Sequence, residues 1–146
     1  MTDDVQIDPR GYRFGAGVTL VVAALALVLG AGTAGLVTMG VLVAMFLPGA
    51  IVGPQATVQS ALFKRLIRPR IGPPSETESF RPPRFAQQMG LGMSAAALVL
   101  GVLGLSWGFW LFGAFVTAAS FLNSIFGFCL GCEIYLLLKR AGARTA

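Results

Sequence analysis

The chain has 146 residues, of which 55% are hydrophobic and 12% are charged, with no histidine and a net charge of +5. This composition excludes an ordinary soluble domain and predicts a membrane protein. The positive charge does not indicate nucleic-acid binding, because the basic residues flank apolar segments without an aromatic and basic recognition module. The sequence contains no nucleotide, haem or flavin motif, so we predict no cofactor.

Residues 1–14 are predicted to be a cytoplasmic segment, and residues 15–53 are the first apolar segment. Residues 15–53 lack Asp, Glu, Lys and Arg, and they exceed the roughly 20 residues that one helix needs to cross a bilayer. We therefore predict a transmembrane helical hairpin with a short turn near Ala31 and Gly32. The segment is too long for the apolar part of a signal peptide, and its leader is acidic as well as basic, so no cleavage is predicted.

Residues 54–85 are predicted to form a short cytoplasmic helix followed by a loop rich in proline and arginine. Pro54 closes the helix-breaking sequence LPGAIVGP, after which Val58, Ala61 and Leu62 recur at helical spacing. The sequence IRPRIGPPSETESFRPPR then predicts a partly extended loop.

Residues 86–127 are predicted to be a second transmembrane hairpin, with its turn near Ser106 and Trp107. This range also lacks charged residues and is long enough for two crossings. All eleven Lys and Arg residues precede the first hairpin, lie between the two hairpins, or follow the second. The positive-inside rule then places both termini and the central loop in the cytoplasm.

Residues 128–146 are predicted to be a separate short helix with a basic tail. One helix from Trp107 to Leu138 would be about 48 Å long, whereas the hydrocarbon core is about 30 Å thick. We therefore predict a break at Gly127 and Phe128.

The two halves of the chain resemble each other. RFGAGVTLVV in the first half resembles RFAQQMGLGM in the second, and SALFKRLIRPR resembles IYLLLKRAGAR. The sequence therefore predicts an all-α integral membrane fold, with four transmembrane helices arranged as two hairpins that are related by a weak internal repeat. Tyr12 and three other aromatic residues near the predicted boundaries are interpreted as membrane anchors.

The only two cysteines, Cys129 and Cys132, have the spacing of dithiol redox centres. At the start of a helix, unpaired N–H groups and the macrodipole favour a thiolate, so Cys129 is the candidate attacking thiol and Cys132 the resolving thiol. On the cytoplasmic side we expect a transient disulfide rather than a permanent one. The alternative is that both cysteines only pack between helices. We predict no metal site, because two thiolates without histidine lack further zinc ligands.

Glu133 follows Cys132 within an apolar run and is a tentative third catalytic residue. Ionisable groups at membrane depth often have a function, here as a proton acceptor for Cys132 or as a partner of Arg84 or Lys139. The alternative is that Glu133 faces headgroup water or stabilises the first turn of its helix.

The segments IDPRGYRFGAG, RPRIGPPSETE, PPRFAQQMG and FGFCLGCEIYLLLKR together resemble a family of small, actinobacterial-type integral membrane proteins, the domain-of-unknown-function family 4395. The resemblance covers nearly the whole chain and implies a multi-pass protein of the bacterial plasma membrane. Members of such families tend to be linked with thioredoxin-like proteins and thiosulfate sulfurtransferases. The resemblance therefore implies a role in membrane thiol redox or sulfur handling, with Cys129 and Cys132 as the functional pair.

Our leading hypothesis is a membrane protein that exchanges electrons, or a persulfide sulfur, with a soluble thioredoxin-like protein or sulfurtransferase. Whether this makes the protein an enzyme is open. One alternative is a transport or channel component, which would need a homo-oligomer because four short spans rarely enclose a pathway alone. Its sequence support includes a polar face of Thr117, Ser120, Asn123 and Ser124. Another alternative is a structural assembly subunit without chemistry.

Overall fold

The computed structural model describes residues 5–145, with side chains described for residues 5–142. Its elements are, in chain order, β1 (Gln6–Ile7), α1 (Pro9–Leu29), α2 (Thr33–Ile51), a 3-10 turn (Pro54–Ala56), α3 (Val58–Leu62), a π-helical segment (Phe63–Ile67), α4 (Arg68–Ile71), β2 (Glu78–Ser79), α5 (Arg81–Val102), α6 (Ser106–Phe126) and α7 (Leu130–Thr145). Within these residues, α1, α2, α5 and α6 are long and apolar enough to cross a membrane. The predicted all-α fold with four spans is confirmed, and the internal repeat stays a prediction.

The helix α1 begins at Pro9, before the uncharged segment that starts at residue 15. The Asp8 carboxylate accepts the backbone N–H of Arg10 at 3.0 Å and so caps the helix. Proline at the first helical position needs no hydrogen-bond acceptor, and its fixed φ suits a helix. The basic residues Arg10 and Arg13 therefore lie in the first turns of α1 and not in a preceding segment.

The turn of the second hairpin also differs from the prediction. It lies at residues 103–105, because Gly104 adopts a φ of 85° that ends α5, and Ser106 already belongs to α6. In the first hairpin, Gly30 adopts a φ of 80° directly after α1, next to the predicted position.

The four spans form a closed ring in which α1 packs on α2 and α6, and α5 packs on the same two helices. The core between them consists of Ala23, Ala26, Met39, Leu42, Phe46, Ala97, Phe109 and Val116. Large apolar residues are exposed on the outer faces of all four helices, among them Val28, Val37, Val99 and Phe115. Such faces suit contact with lipid rather than with water.

A group of short elements covers the end of the bundle at which α1 and α5 begin, which we call the basic end. Thr57 caps α3 by accepting the Ser60 N–H at 3.2 Å. Phe63 is buried against Gly11 and stacks on the ring of Phe14, with 5.9 Å between the ring centroids. The strands β1 and β2 pair in antiparallel register and tie the central loop to the start of α1.

The fourth span ends at Phe126, and α7 begins only at Leu130. Gly127 ends α6 in the left-handed conformation, with a φ of 69°, which only glycine adopts at little cost. The helix α7 then packs on α5, where Gly131 meets Ala86 and the ring of Tyr135 lies 5.7 Å from that of Phe85. The start of α7 therefore lies beside the first turns of α5, at the basic end.

Candidate functional site

Cys129 and Cys132 meet at the start of α7, where their sulfur atoms form a disulfide. Their Cα atoms are 5.2 Å apart. The carbonyl of Cys129 accepts the Glu133 N–H at 3.0 Å, so Cys129 occupies the capping position of the helix. Its Sγ accepts the Cys132 N–H at 3.2 Å. The pair can therefore open and close as a disulfide across a single helical turn. The expectation that this disulfide is transient stays a prediction.

The hydroxyl of Tyr12 lies 3.5 Å from Cys129 Sγ, which is within hydrogen-bonding reach of sulfur. The Tyr12 hydroxyl and the Cys132 N–H thus both lie within hydrogen-bonding distance of Cys129 Sγ, and donors in such positions stabilise a thiolate when a disulfide is reduced. The positive end of the α7 dipole acts in the same direction. From the sequence, Tyr12 is interpreted only as a membrane anchor, because no local pattern joins two residues that are 117 positions apart.

A cavity of about 100 Å³ extends from Cys129 into the bundle, between α1, α2, α5, α6 and α7. Cys129 lines this cavity and Cys132 does not. Most of the wall is apolar, and a few polar side chains interrupt it at the basic end. We call this space the Cys129 cavity. An apolar cavity with a few convergent polar groups is typical of a small-molecule site.

The predicted polar face of α6 is divided by the structure. Ser120 and Asn123 are buried and line the Cys129 cavity. The hydroxyl of Thr117 instead donates to the carbonyl of Gly113 at 2.8 Å, within its own helix. Ser124 lies near α1, where its Oγ would be 3.1 Å from a Cβ added to Gly17. Only half of this face therefore contributes to the candidate site.

Glu133 lies in the first turn of α7 and is exposed. In the part of the chain with described side chains, no ion pair joins Glu133 to Arg84 or Lys139. A carboxylate near a helix N-terminus is stabilised by the helix dipole, which is the simplest account of this residue. Its catalytic role stays a prediction.

A second, more polar cavity of about 160 Å³ lies beside the first, between the start of α1 and residues 54–64. The side-chain oxygens Gln55 Oε1, Gln59 Oε1 and Gln87 Oε1 are buried without a hydrogen-bond partner, and all three residues line this cavity. Tyr12 and Gln87 line both cavities, so they form the wall between them. Gln59 also connects the two spaces, because its Nε2 donates to Thr19 Oγ1 at 3.4 Å.

Asp8 and Arg10 form an ion pair at the edge of the polar cavity, with 2.9 Å between Oδ2 and Nη2. The side-chain hydrogen bonds from Arg10 are the main cause that lowers the pKa of the Asp8 carboxyl below its usual value. Arg10 Nη2 also donates to the carbonyl of Gly72 at 3.0 Å. The pair therefore fastens the central loop to the start of α1.

The described residues bring together no group of three or more His, Cys, Asp or Glu side chains that would hold a metal ion. No curated protein and no solved structure matches the chain. The family model for a domain of unknown function, DUF4395, matches residues 7–140. A match of this extent covers all four spans and both cysteines, so the chain belongs to the DUF4395 family.

Proposed function

We propose that this protein is a membrane thiol–disulfide exchange protein, in which Cys129 and Cys132 cycle between a dithiol and a disulfide. The observation that supports this function best is the disulfide at the start of α7, with Cys129 lining the Cys129 cavity and both residues half-buried. Cysteines that only pack between helices need neither this pairing nor the Tyr12 contact.

The electron donor in this proposal is a soluble protein dithiol, such as that of a thioredoxin-like protein. A partner thiolate attacks the Sγ of Cys132, forms a mixed disulfide, and expels Cys129 as a thiolate. Cys129 is the better leaving group because three contributions favour its thiolate: the Tyr12 hydroxyl, the Cys132 N–H and the helix dipole. The second partner thiol then attacks the partner's own sulfur, which releases the partner disulfide and the reduced pair.

We further propose that the basic end faces the cytoplasm of a bacterium whose plasma membrane holds the four spans. The support is the distribution of Lys and Arg, which are absent from both hairpin turns. Labelling of the reduced pair with a membrane-impermeant thiol reagent tests this orientation. The reagent should react in inverted vesicles and not in right-side-out vesicles, and the opposite pattern would reverse the proposed topology.

The exchange function is tested with the purified full chain in lipid nanodiscs. A reduced thioredoxin should convert the disulfide to two thiols, as counted by alkylation and mass spectrometry. A thioredoxin that lacks its second active-site cysteine should remain attached to Cys132 as a mixed disulfide, because its single thiol opens the Cys129–Cys132 bond and no second thiol releases it. Cys132→Ser is the matched control and should form no such adduct, because it has no disulfide to open. A disulfide that resists reduction, or whose loss unfolds the bundle, would instead indicate a structural bond.

The same experiment separates electron exchange from sulfur transfer. If the pair relays a persulfide, incubation with a sulfurtransferase and its sulfur donor should add the mass of one sulfur atom to Cys129 or Cys132. We expect disulfide formation without this added mass, because the two cysteines pair with each other in the structure.

A further inference from the structure

We propose that the Cys129 cavity binds the ring of an isoprenoid quinone, which accepts the electrons and protons of the reduced Cys129–Cys132 pair. This inference rests on the proposed function and names its second substrate. A dithiol that is reduced by a soluble partner must pass two electrons on before it can act again. The structure points to where they go, because one of the two sulfurs lies in the wall of a cavity inside the bundle.

The position and size of the cavity favour a lipid-soluble ring. It lies between four helices that are apolar enough to cross a membrane, and its wall contains Ala16, Phe46, Met89, Met93, Val116 and Ile134. Its volume is about 100 Å³ and it is partly open to the surroundings, so it suits a single ring whose substituents extend out of it.

A polar group of the wall suits the carbonyl of a quinone. Asn123 is only 7% exposed, and none of the described residues hydrogen-bonds its side-chain amide. Its N–H₂ group is suited to donate to a quinone carbonyl. A saturated acyl chain would leave this group unpaired.

The reaction balances within the site. The S–H bonds of Cys129 and Cys132 break, and an S–S bond forms between the two sulfurs. Two electrons pass from the sulfurs to the ring, and both ring carbonyls become hydroxyls by taking up the two protons. Cys129 is the sulfur that faces the ring, and Cys132 then closes the disulfide on it.

The test uses the full chain, reduced in nanodiscs, and ubiquinone-1, whose fully substituted ring offers no free position for direct addition of a thiol. Loss of the quinone absorbance gives the rate, and mass spectrometry gives the disulfide. We expect one quinol for each disulfide formed. Asn123→Leu, which keeps the volume of the wall, should raise the KM for the quinone about two- to tenfold, the effect expected for one hydrogen bond.

A cavity-filling variant provides the second arm. Ala119 lines the cavity, whereas its neighbour Ala118 is exposed on the outer face of α6. Ala119→Phe should abolish quinone reduction while reduction of the disulfide by thioredoxin continues, and Ala118→Phe should leave both rates unchanged. Circular dichroism of each variant reports whether the bundle is intact, and Asn123→Leu keeps the test decisive if Ala119→Phe does not fold.

The outcomes separate this inference from the function on which it rests. If thioredoxin reduces the pair but the quinone does not reoxidise it, or reoxidises Ala119→Phe equally well, the quinone site is refuted and the exchange function stands. A native lipid acyl chain that occupies the cavity and excludes ubiquinone-1 would refute it as well. If thioredoxin cannot reduce the pair at all, the exchange function itself is refuted.

Discussion

The contact between Gly131 and Ala86 determines where Cys129 lies, and its disruption is the sharpest test of the site. A Cβ added at Gly131 would lie 2.6 Å from the Ala86 Cβ and 2.7 Å from the Ala86 Cα. Ordinary contact begins at 3.4 Å, so Gly131→Ala requires α7 to move away from α5 by about 0.8 Å. Because one of the obstructing atoms belongs to the backbone, no side-chain rotation relieves the clash. Overpacking of this kind costs about 1–3 kcal/mol.

The matched control is Gly142→Ala on the same helix, where an added Cβ meets no atom within 4 Å. Both substitutions gain about 1 kcal/mol of helix propensity, so the difference between them isolates the clash. The assay is the rate at which an impermeant reagent alkylates the reduced pair, since undocking of α7 exposes Cys129. A difference of about 1–3 kcal/mol predicts alkylation about 5- to 150-fold faster in Gly131→Ala than in Gly142→Ala. Equal rates in the two variants would refute the argument that this contact positions the thiols.

Three further predictions follow from the same geometry. Tyr12→Phe removes the hydroxyl that contacts Cys129. Alkylation of reduced Cys129 at neutral pH should then slow about two- to tenfold, the range expected for one hydrogen bond. An unchanged pH profile of alkylation would contradict this contact. Arg10 lowers the pKa of Asp8 in the folded protein. The stabilisation from this carboxylate is therefore present at pH values above the ordinary pKa of 3.8, and it is lost as the pH falls through the lower pKa of the folded state. Asp8→Asn should remove this acid dependence, as measured by the rate of proteolysis of the central loop at different pH values. Gly127→Ala places a Cβ on a residue with a φ of 69° and should destabilise the docking of α7 by about 1–2 kcal/mol. Hydrogen exchange of the α7 amides measures this loss. Exchange at the wild-type rate would argue against the left-handed conformation of residue 127.

The spans were predictable because their signal is local. Residues 15–53 and 86–132 carry no charge, and a bilayer imposes the length of the helices that cross it. The same rule starts the uncharged segment at residue 15, after Arg13, whereas the helix α1 already begins at Pro9. A cap by Asp8 and proline at the first helical position outweigh that rule, because basic side chains near a helix end extend toward the interface.

The chemistry of the site was only half predictable. The spacing of Cys129 and Cys132 is a sequence motif, and the helix break before it follows from the length of the span. The contact of Tyr12 with Cys129 and the unpaired Gln87 oxygen result from the packing of α1 and α5 around α7, and no periodicity records such contacts. A cavity is likewise a property of the packed bundle rather than of any one segment.

None of the described residues of α7 belongs to the core of the bundle. All four spans precede Gly127 in the chain, so the ring of helices contains every membrane-crossing element without α7. The order of the chain therefore separates the part that holds the protein in the membrane from the part that holds the thiols. Sequence changes in α7 can thus alter the chemistry of the thiols without changing how the four spans pack together.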